Sequence, residues 1–162
     1  MQRTAILTAL LALAVSVLTF IDPSPAKADI IRTITNVGTG WELSTNDADK
    51  PQRPVYTAHP SDSEYHEWYI QDGVGTIHNN ESRWCLSSNW GTGSSGKVFT
   101  TACTGSPYHK WRRVTGTVPG GYFQIISNET GWCLSSNRGN GSLGDVYTVP
   151  CSGSVYHNWR LS

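Results

Sequence analysis

The chain has 162 residues, with 12 basic against 12 acidic side chains and so no net charge. That balance excludes binding of nucleic acid or an anionic membrane surface by counterion release, because there is no positive field for the phosphates to meet. Neither cofactor chemistry nor a second large domain is suggested by the length or composition.

Met1-Gln2-Arg3, the apolar run from Ala5 to Phe20, and then Pro23, Pro25 and Ala26-Lys27-Ala28 have the three parts of a secretory signal peptide, with cleavage expected after Ala28. The run is about 16 residues, short for a bilayer span, and no other stretch could cross one, so no membrane span is expected and the product is read as secreted. Removing residues 1–28 takes away Arg3, Lys27 and Asp22 and leaves 10 basic and 11 acidic residues, a formal charge of −1. Residues 29–162 are expected to form one domain, and a monomer.

Asp29 to Thr35 reads as an opening strand, followed by a turn at Asn36-Val37-Gly38-Thr39-Gly40. Trp41-Glu42-Leu43-Ser44-Thr45-Asn46 comes next, then Val55-Tyr56-Thr57, Pro60 and Tyr65-His66-Glu67-Trp68. The same series returns 43 residues on as Trp84-Cys85-Leu86-Ser87-Ser88-Asn89, Val98-Phe99-Thr100, Cys103 and Tyr108-His109-Lys110-Trp111. It returns after a further 48 as Trp132-Cys133-Leu134-Ser135-Ser136-Asn137, Val146-Tyr147-Thr148, Cys151 and Tyr156-His157-Asn158-Trp159. The five-residue difference lies in the connectors, since Trp68 to Trp84 is 16 residues and Trp111 to Trp132 is 21.

Three copies are too few for an open solenoid with capping units, so a closed three-unit fold is expected. The units run about 30–70, 71–114 and 115–162 and share one core. Within each, short runs rich in Val, Tyr, Phe, Thr and Trp alternate with Gly, Ser, Asn and Pro clusters, and no 3.6-residue periodicity is present. The reading is all-β, with about four strands per unit and closure to remove the edges, which makes a β-trefoil with pseudo-threefold symmetry the natural candidate.

The turns before the later copies read as Asn80-Glu81-Ser82-Arg83 and Asn128-Glu129-Thr130-Gly131, each Asn being expected to bond nearby backbone. Both also fit the Asn-x-Ser/Thr acceptor pattern for glycosylation. Cys85 and Cys103 are 18 apart, as are Cys133 and Cys151, while Glu42 and Pro60 stand at both matching positions of the first copy. Residues present or absent together behave as bonded pairs, so the expected disulfides are Cys85–Cys103 and Cys133–Cys151. No Cys-x-x-Cys pair occurs, and no metal site is expected.

These residues resemble the ricin B-type (ricin-like) β-trefoil lectins, which repeat Gly-x-Cys-Leu, a second Cys and a closing Gln-x-Trp three times in one domain. Here the pattern stands as Gly131-Trp132-Cys133-Leu134, Cys151 and His157-Asn158-Trp159, with the earlier copies to match. The resemblance covers residues 30–162 and implies the trefoil fold and carbohydrate binding. The positions of the family's sugar residues have changed, however. Its aspartate after Cys-Leu is Ser87, Ser135 and Ser44. Its aromatic platform two before the second Cys is Thr101, Val149 and Ala58. Its asparagine three before the closing Trp is Tyr108, Tyr156 and Tyr65, and its Gln is His109, His157 and His66.

Stacking on sugar C–H groups needs a flat apolar face, and hydroxyls need a few placed donors and acceptors. Candidates for a rebuilt carbohydrate site are therefore Tyr108 with Ser87 and Asn89, and Tyr156 with Ser135 and Asn137. Trp90 is a further candidate, because Asp47 and Arg138 occupy its matching positions and the fold does not require an aromatic there. The other six Trp are expected in the core. The three His read as structural, since an imidazole can make the backbone bond that the family's Gln makes. A glycosidase needs a placed pair of carboxylates, but Asp62, Glu64, Glu67, Asp72 and Asp145 do not repeat and nothing in the sequence marks their surroundings as unusual; no nucleophile elbow or phosphate loop is present either, so no enzyme is expected. The function read is a non-catalytic carbohydrate-binding module with a glycan as partner. The rival is a protein-contact trefoil, such as a toxin's targeting subunit or a secreted hydrolase inhibitor.

Overall fold

The computed structural model describes residues 30–46, 51–71, 75–89, 94–138 and 141–162. The expected signal peptide and Trp90 lie outside them. Twelve short strands make up the described fold: β1 Ile30–Asn36, β2 Glu42–Thr45, β3 Arg53–Ala58, β4 Glu67–Gln71, β5 Thr76–Asn79, β6 Cys85–Ser88, β7 Gly96–Thr101, β8 Trp111–Thr115, β9 Phe123–Ser127, β10 Cys133–Ser136, β11 Leu143–Val149 and β12 Asn158–Leu161. All their pairings are antiparallel.

Six strands form a ring. β1 lies between β4 and β12, β4 continues to β5, and β12 continues through β9 to β8. β5 and β8 meet at the bridge Thr76↔Lys110, where the Trp111 N–H donates to the Gly75 carbonyl at 2.7 Å. The other six make hairpins in matching register, with Glu42↔Ala58 in β2–β3, Cys85↔Thr101 in β6–β7 and Cys133↔Val149 in β10–β11. β3, β7 and β11 then pair with one another, so each hairpin touches the other two. Closure of this kind leaves few unpaired edges, which strands of four to seven residues could not protect on their own.

The core is built from residues at matching places: Leu43, Leu86 and Leu134, then Val55, Val98 and Val146, then Trp68, Trp111 and Trp159, with Ile34, Ile77 and Ile125 beside them. Each Trp of this set donates its indole N–H to a leucine carbonyl of the same set, at 2.9 Å to Leu43, 2.9 Å to Leu86 and 3.0 Å to Leu134. Trp84 and Trp132, expected in the core, are instead only half-buried, and Trp41 sits at the core's edge against His59 at 4.6 Å. These three precede the hairpins and lie at the rim, where Trp84 is covered by the Arg53 guanidinium at 4.1 Å.

The first turn is capped by Asn36 as expected, but in the second and third units the capping residue stands one place before the expected asparagine. Asn36 and Asn79 accept the backbone N–H of Thr39 and Ser82 at 3.1 Å each, and Ser127 takes the same role toward Thr130 at 3.3 Å. Asn80 instead donates to the Glu67 carboxylate, and Asn128 accepts from Arg112. The disulfides join Cys85 to Cys103 and Cys133 to Cys151, as the cysteine spacing requires.

Candidate functional site

Each closing Trp is preceded by a single 3-10 turn, at Glu64–His66, Pro107–His109 and Val155–His157. The turns begin because Ser63, Ser106 and Ser154 accept the backbone N–H of Tyr65, Tyr108 and Tyr156 with their hydroxyls. The motif Ser-x-Tyr-His carries this signal in plain sight, and it explains why the tyrosine is held in the same place each time. Each turn packs against the first strand of its hairpin: β2, β6 or β10.

Tyr156 is 40% exposed. Its ring rests on the backbone of Gly38, where a Cβ would fall 2.5 Å from Tyr156 Cδ1, so only glycine leaves room for it. Tyr108 is half-buried on its turn. Asn89 accepts the Lys97 N–H at 2.9 Å, and Asn137 accepts the Asp145 N–H at 3.0 Å, so both amides brace the necks of their hairpins. Ser87 and Ser135 are 2% and 1% exposed. Their counterpart Ser44 donates its hydroxyl to the Tyr65 carbonyl and to the Thr45 carbonyl, both at 3.3 Å. Each tyrosine turn thus packs on the strand that carries the serine, with Ser87 and Ser135 beneath the surface rather than on it.

The three imidazoles are each engaged within their own segment. His109 accepts the Thr104 N–H at 3.5 Å and His157 accepts the Ser152 N–H at 3.2 Å, both at Nδ1. His66 does the opposite: its Nδ1 donates to the Glu42 carboxylate at 2.9 Å. Among the described residues no group of three or more His, Cys, Asp or Glu side chains could hold a metal ion. Burial lowers His109 and His157 from the ordinary value of 6.5, and Lys110 adds to the effect at His109.

The unfolded chain therefore takes up these protons first as the pH falls. The stability they contribute is complete above about pH 6.5 and is lost below it, toward the lowered folded values. Urea midpoints at pH 7.5 and 5 should show this fall, and His109→Gln with His157→Gln should flatten it.

Among the described residues the carboxylates are dispersed or engaged with neighbours. Glu64 is held above the usual carboxylate range by a hydrogen bond and charge repulsion from Glu81, but both are exposed. Glu67 is bonded to Asn80, Asp145 to Asn137, and Asp72 lies outside the described residues. A cavity of about 660 Å³ opens where β5 and β8 part, lined by Ile70, Ile77, Trp111, Tyr122 and Phe123 with Arg113. It contains none of the expected sugar residues.

A sequence model of the ricin-type beta-trefoil lectin domain matches residues 31–159. The fold is similar to the designed 3-fold symmetric protein ThreeFoil, at TM-score 0.72 and 20% identity, covering 81% of this chain and 96% of that one. It is also similar to a cytolethal distending toxin from Actinobacillus actinomycetemcomitans, at TM-score 0.68 and 15% identity, covering 82% and 90%. The hemolytic lectin CEL-III matches at TM-score 0.67 and 22% identity, covering 82% of this chain and 30% of its own. No curated protein matches the sequence.

Proposed function

This chain belongs to the ricin-type beta-trefoil lectin domain family, and from that membership we propose that it is a secreted, non-catalytic carbohydrate-binding module. Its three homologous units are related by pseudo-threefold symmetry over residues 29–162, and the signal peptide is residues 1–28. The sugar faces are Tyr108 and Tyr156, with Asn89 and Asn137 on the neighbouring hairpin necks and Trp90 beside Asn89. Ser87 and Ser135 support these faces from below. The observation that carries this reading is Tyr156, a large aromatic held 40% exposed on a capped turn that packs against β10. A rigid aromatic on the surface suits a sugar's apolar face better than it suits water. Two disulfides fit an oxidising, extracellular setting.

A glycan array probed with the disulfide-bonded protein tests it. Saturable binding should fall about tenfold with Tyr156→Ala, and about as much with Tyr108→Ala, the loss expected of one stacked ring. A second reading, protein contact, is favoured by the burial of Ser44, Ser87 and Ser135 at the positions that correspond to the family's sugar-binding aspartate. A blank array from folded material would select it.

A further inference from the structure

One residue departs from the backbone rules of the fold. Arg83 is the one non-glycine with positive φ among the described residues, at 59°. Its counterparts 43 residues earlier and 48 later are Gly40 at 74° and Gly131 at 72°. A left-handed conformation is costly for a residue with a Cβ and free of that cost for glycine. The fold asks for glycine here, so the arginine is retained against local preference, and retained strain is a pointer to function.

Arg83 lines a groove of about 370 Å³ beside the Cys85–Cys103 disulfide, together with His78, Lys110, Gln71 and Thr76. His78 and Lys110 also break the pattern: their matching residues are Thr35 and Glu67 in the first segment, and Ile126 and Asn158 in the third. Three unrelated positions thus turn basic in one segment only, and all three face one groove that no carboxylate lines. Tyr69 organises the edge of the site, with the Arg83 guanidinium over its ring at 5.0 Å and the His78 ring stacked on it at 4.9 Å. The Gln71 carbonyl oxygen accepts the Thr76 hydroxyl at 2.6 Å, which ties the floor of the groove together. Glu64 lies within the field of Arg83 and bonds Glu81, but neither lines the groove.

We infer that this groove binds the anionic substituent of an acidic sugar, a sulfate ester or a carboxylate, through Arg83, Lys110 and His78. The sugar class rests on the carbohydrate reading above; the anion site uses none of the residues placed in the tyrosine sites. A planar guanidinium and an ammonium converging on one concavity are the donors such an oxyanion requires.

Isothermal titration with galactose 6-sulfate, galacturonic acid, galactose and inorganic sulfate tests the assignment. The two acidic sugars should bind at least tenfold more tightly than galactose, and the preference should shrink as salt is raised. The sulfate and carboxylate arms show which anion is preferred. Arg83→Gly restores the residue that the fold uses elsewhere, so it should fold at least as stably as the parent. It should nevertheless weaken acidic-sugar binding about tenfold to hundredfold, the worth of a charge-assisted bond. Lys110→Asn should weaken it likewise. Arg112→Ala removes the same charge outside the groove and should change little.

Unaltered acidic-sugar binding by folded Arg83→Gly overturns the inference. So does equal binding of galactose and galactose 6-sulfate, or binding of inorganic sulfate alone. A blank neutral-glycan array alongside Arg83-dependent binding of acidic sugars would remove the tyrosine sites and leave this one standing.

Discussion

Trp159→Ala should destabilise the fold by about 3–5 kcal/mol, the range for deleting a large buried aromatic. Trp159 has no exposed surface, and its indole N–H is the partner of the Leu134 carbonyl at 3.0 Å. Losing the ring opens a cavity in a packed core, and losing the N–H leaves a carbonyl there without its donor. Trp159→Phe separates the two effects, since it keeps most of the ring and should cost about 1–3 kcal/mol for the orphaned carbonyl together with the reduced ring volume. Small domains are stable by only about 5–15 kcal/mol, so the alanine variant should be substantially unfolded on mild warming. Urea unfolding with the disulfides intact measures this, and a loss below about 1 kcal/mol for Trp159→Ala would contradict the core as described.

His66→Ala should cost about as much, roughly 3–5 kcal/mol, for an electrostatic reason. The first segment has Glu42 and Pro60 where the others have cystine, and there Glu42 is nearly buried with the His66 imidazole 2.9 Å from its carboxylate. Removing the imidazole strands a charge away from water. Replacing the ion pair by the other segments' solution, with Glu42→Cys and Pro60→Cys in the His66→Ala background, removes the stranded charge. It should also add roughly 3 kcal/mol by closing an 18-residue loop. The matching register Glu42↔Ala58 and Cys85↔Thr101 places that pair where a disulfide fits. Mass spectrometry for the new bond and urea midpoints for the parent and the two variants check the series, and a His66→Ala protein as stable as its parent would refute the account.

Architecture was legible because the features that specify it are spaced in the chain itself. Trp68, Trp111 and Trp159 each lie 25 residues beyond the leucine whose carbonyl they bond, and the paired cysteines lie 18 apart. The candidate site was less legible, because spacing does not say which face of a strand is open. Ser87 and Ser135 sit on β6 and β10, where all four residues of each strand are buried. A half-exposed strand would alternate, but these are enclosed on both faces, so a polar residue there becomes an internal tie. Asn79 ends β5 and Asn80 follows it with the same amide, and only the backbone geometry shows which of the two caps the turn. Arg83 was hidden more deeply: its charge is visible in the sequence, but the positive φ that makes it unusual is not, although glycine at both matching positions was the available signal.

The meeting of β1 and β12 has a consequence for how the protein can be held. Thr33 and Ser162 exchange both backbone hydrogen bonds, at 3.0 and 3.2 Å, and their hydroxyls lie 2.8 Å apart. The start and finish of the folded chain are therefore neighbours, and a short glycine linker could join them while the chain is reopened at the exposed turn near residue 120. The order in which the strands are threaded is thus separable from the contacts they make. A cargo fused ahead of β1 or behind β12 would hang from the same side of the molecule, because β1 and β12 run side by side in the ring.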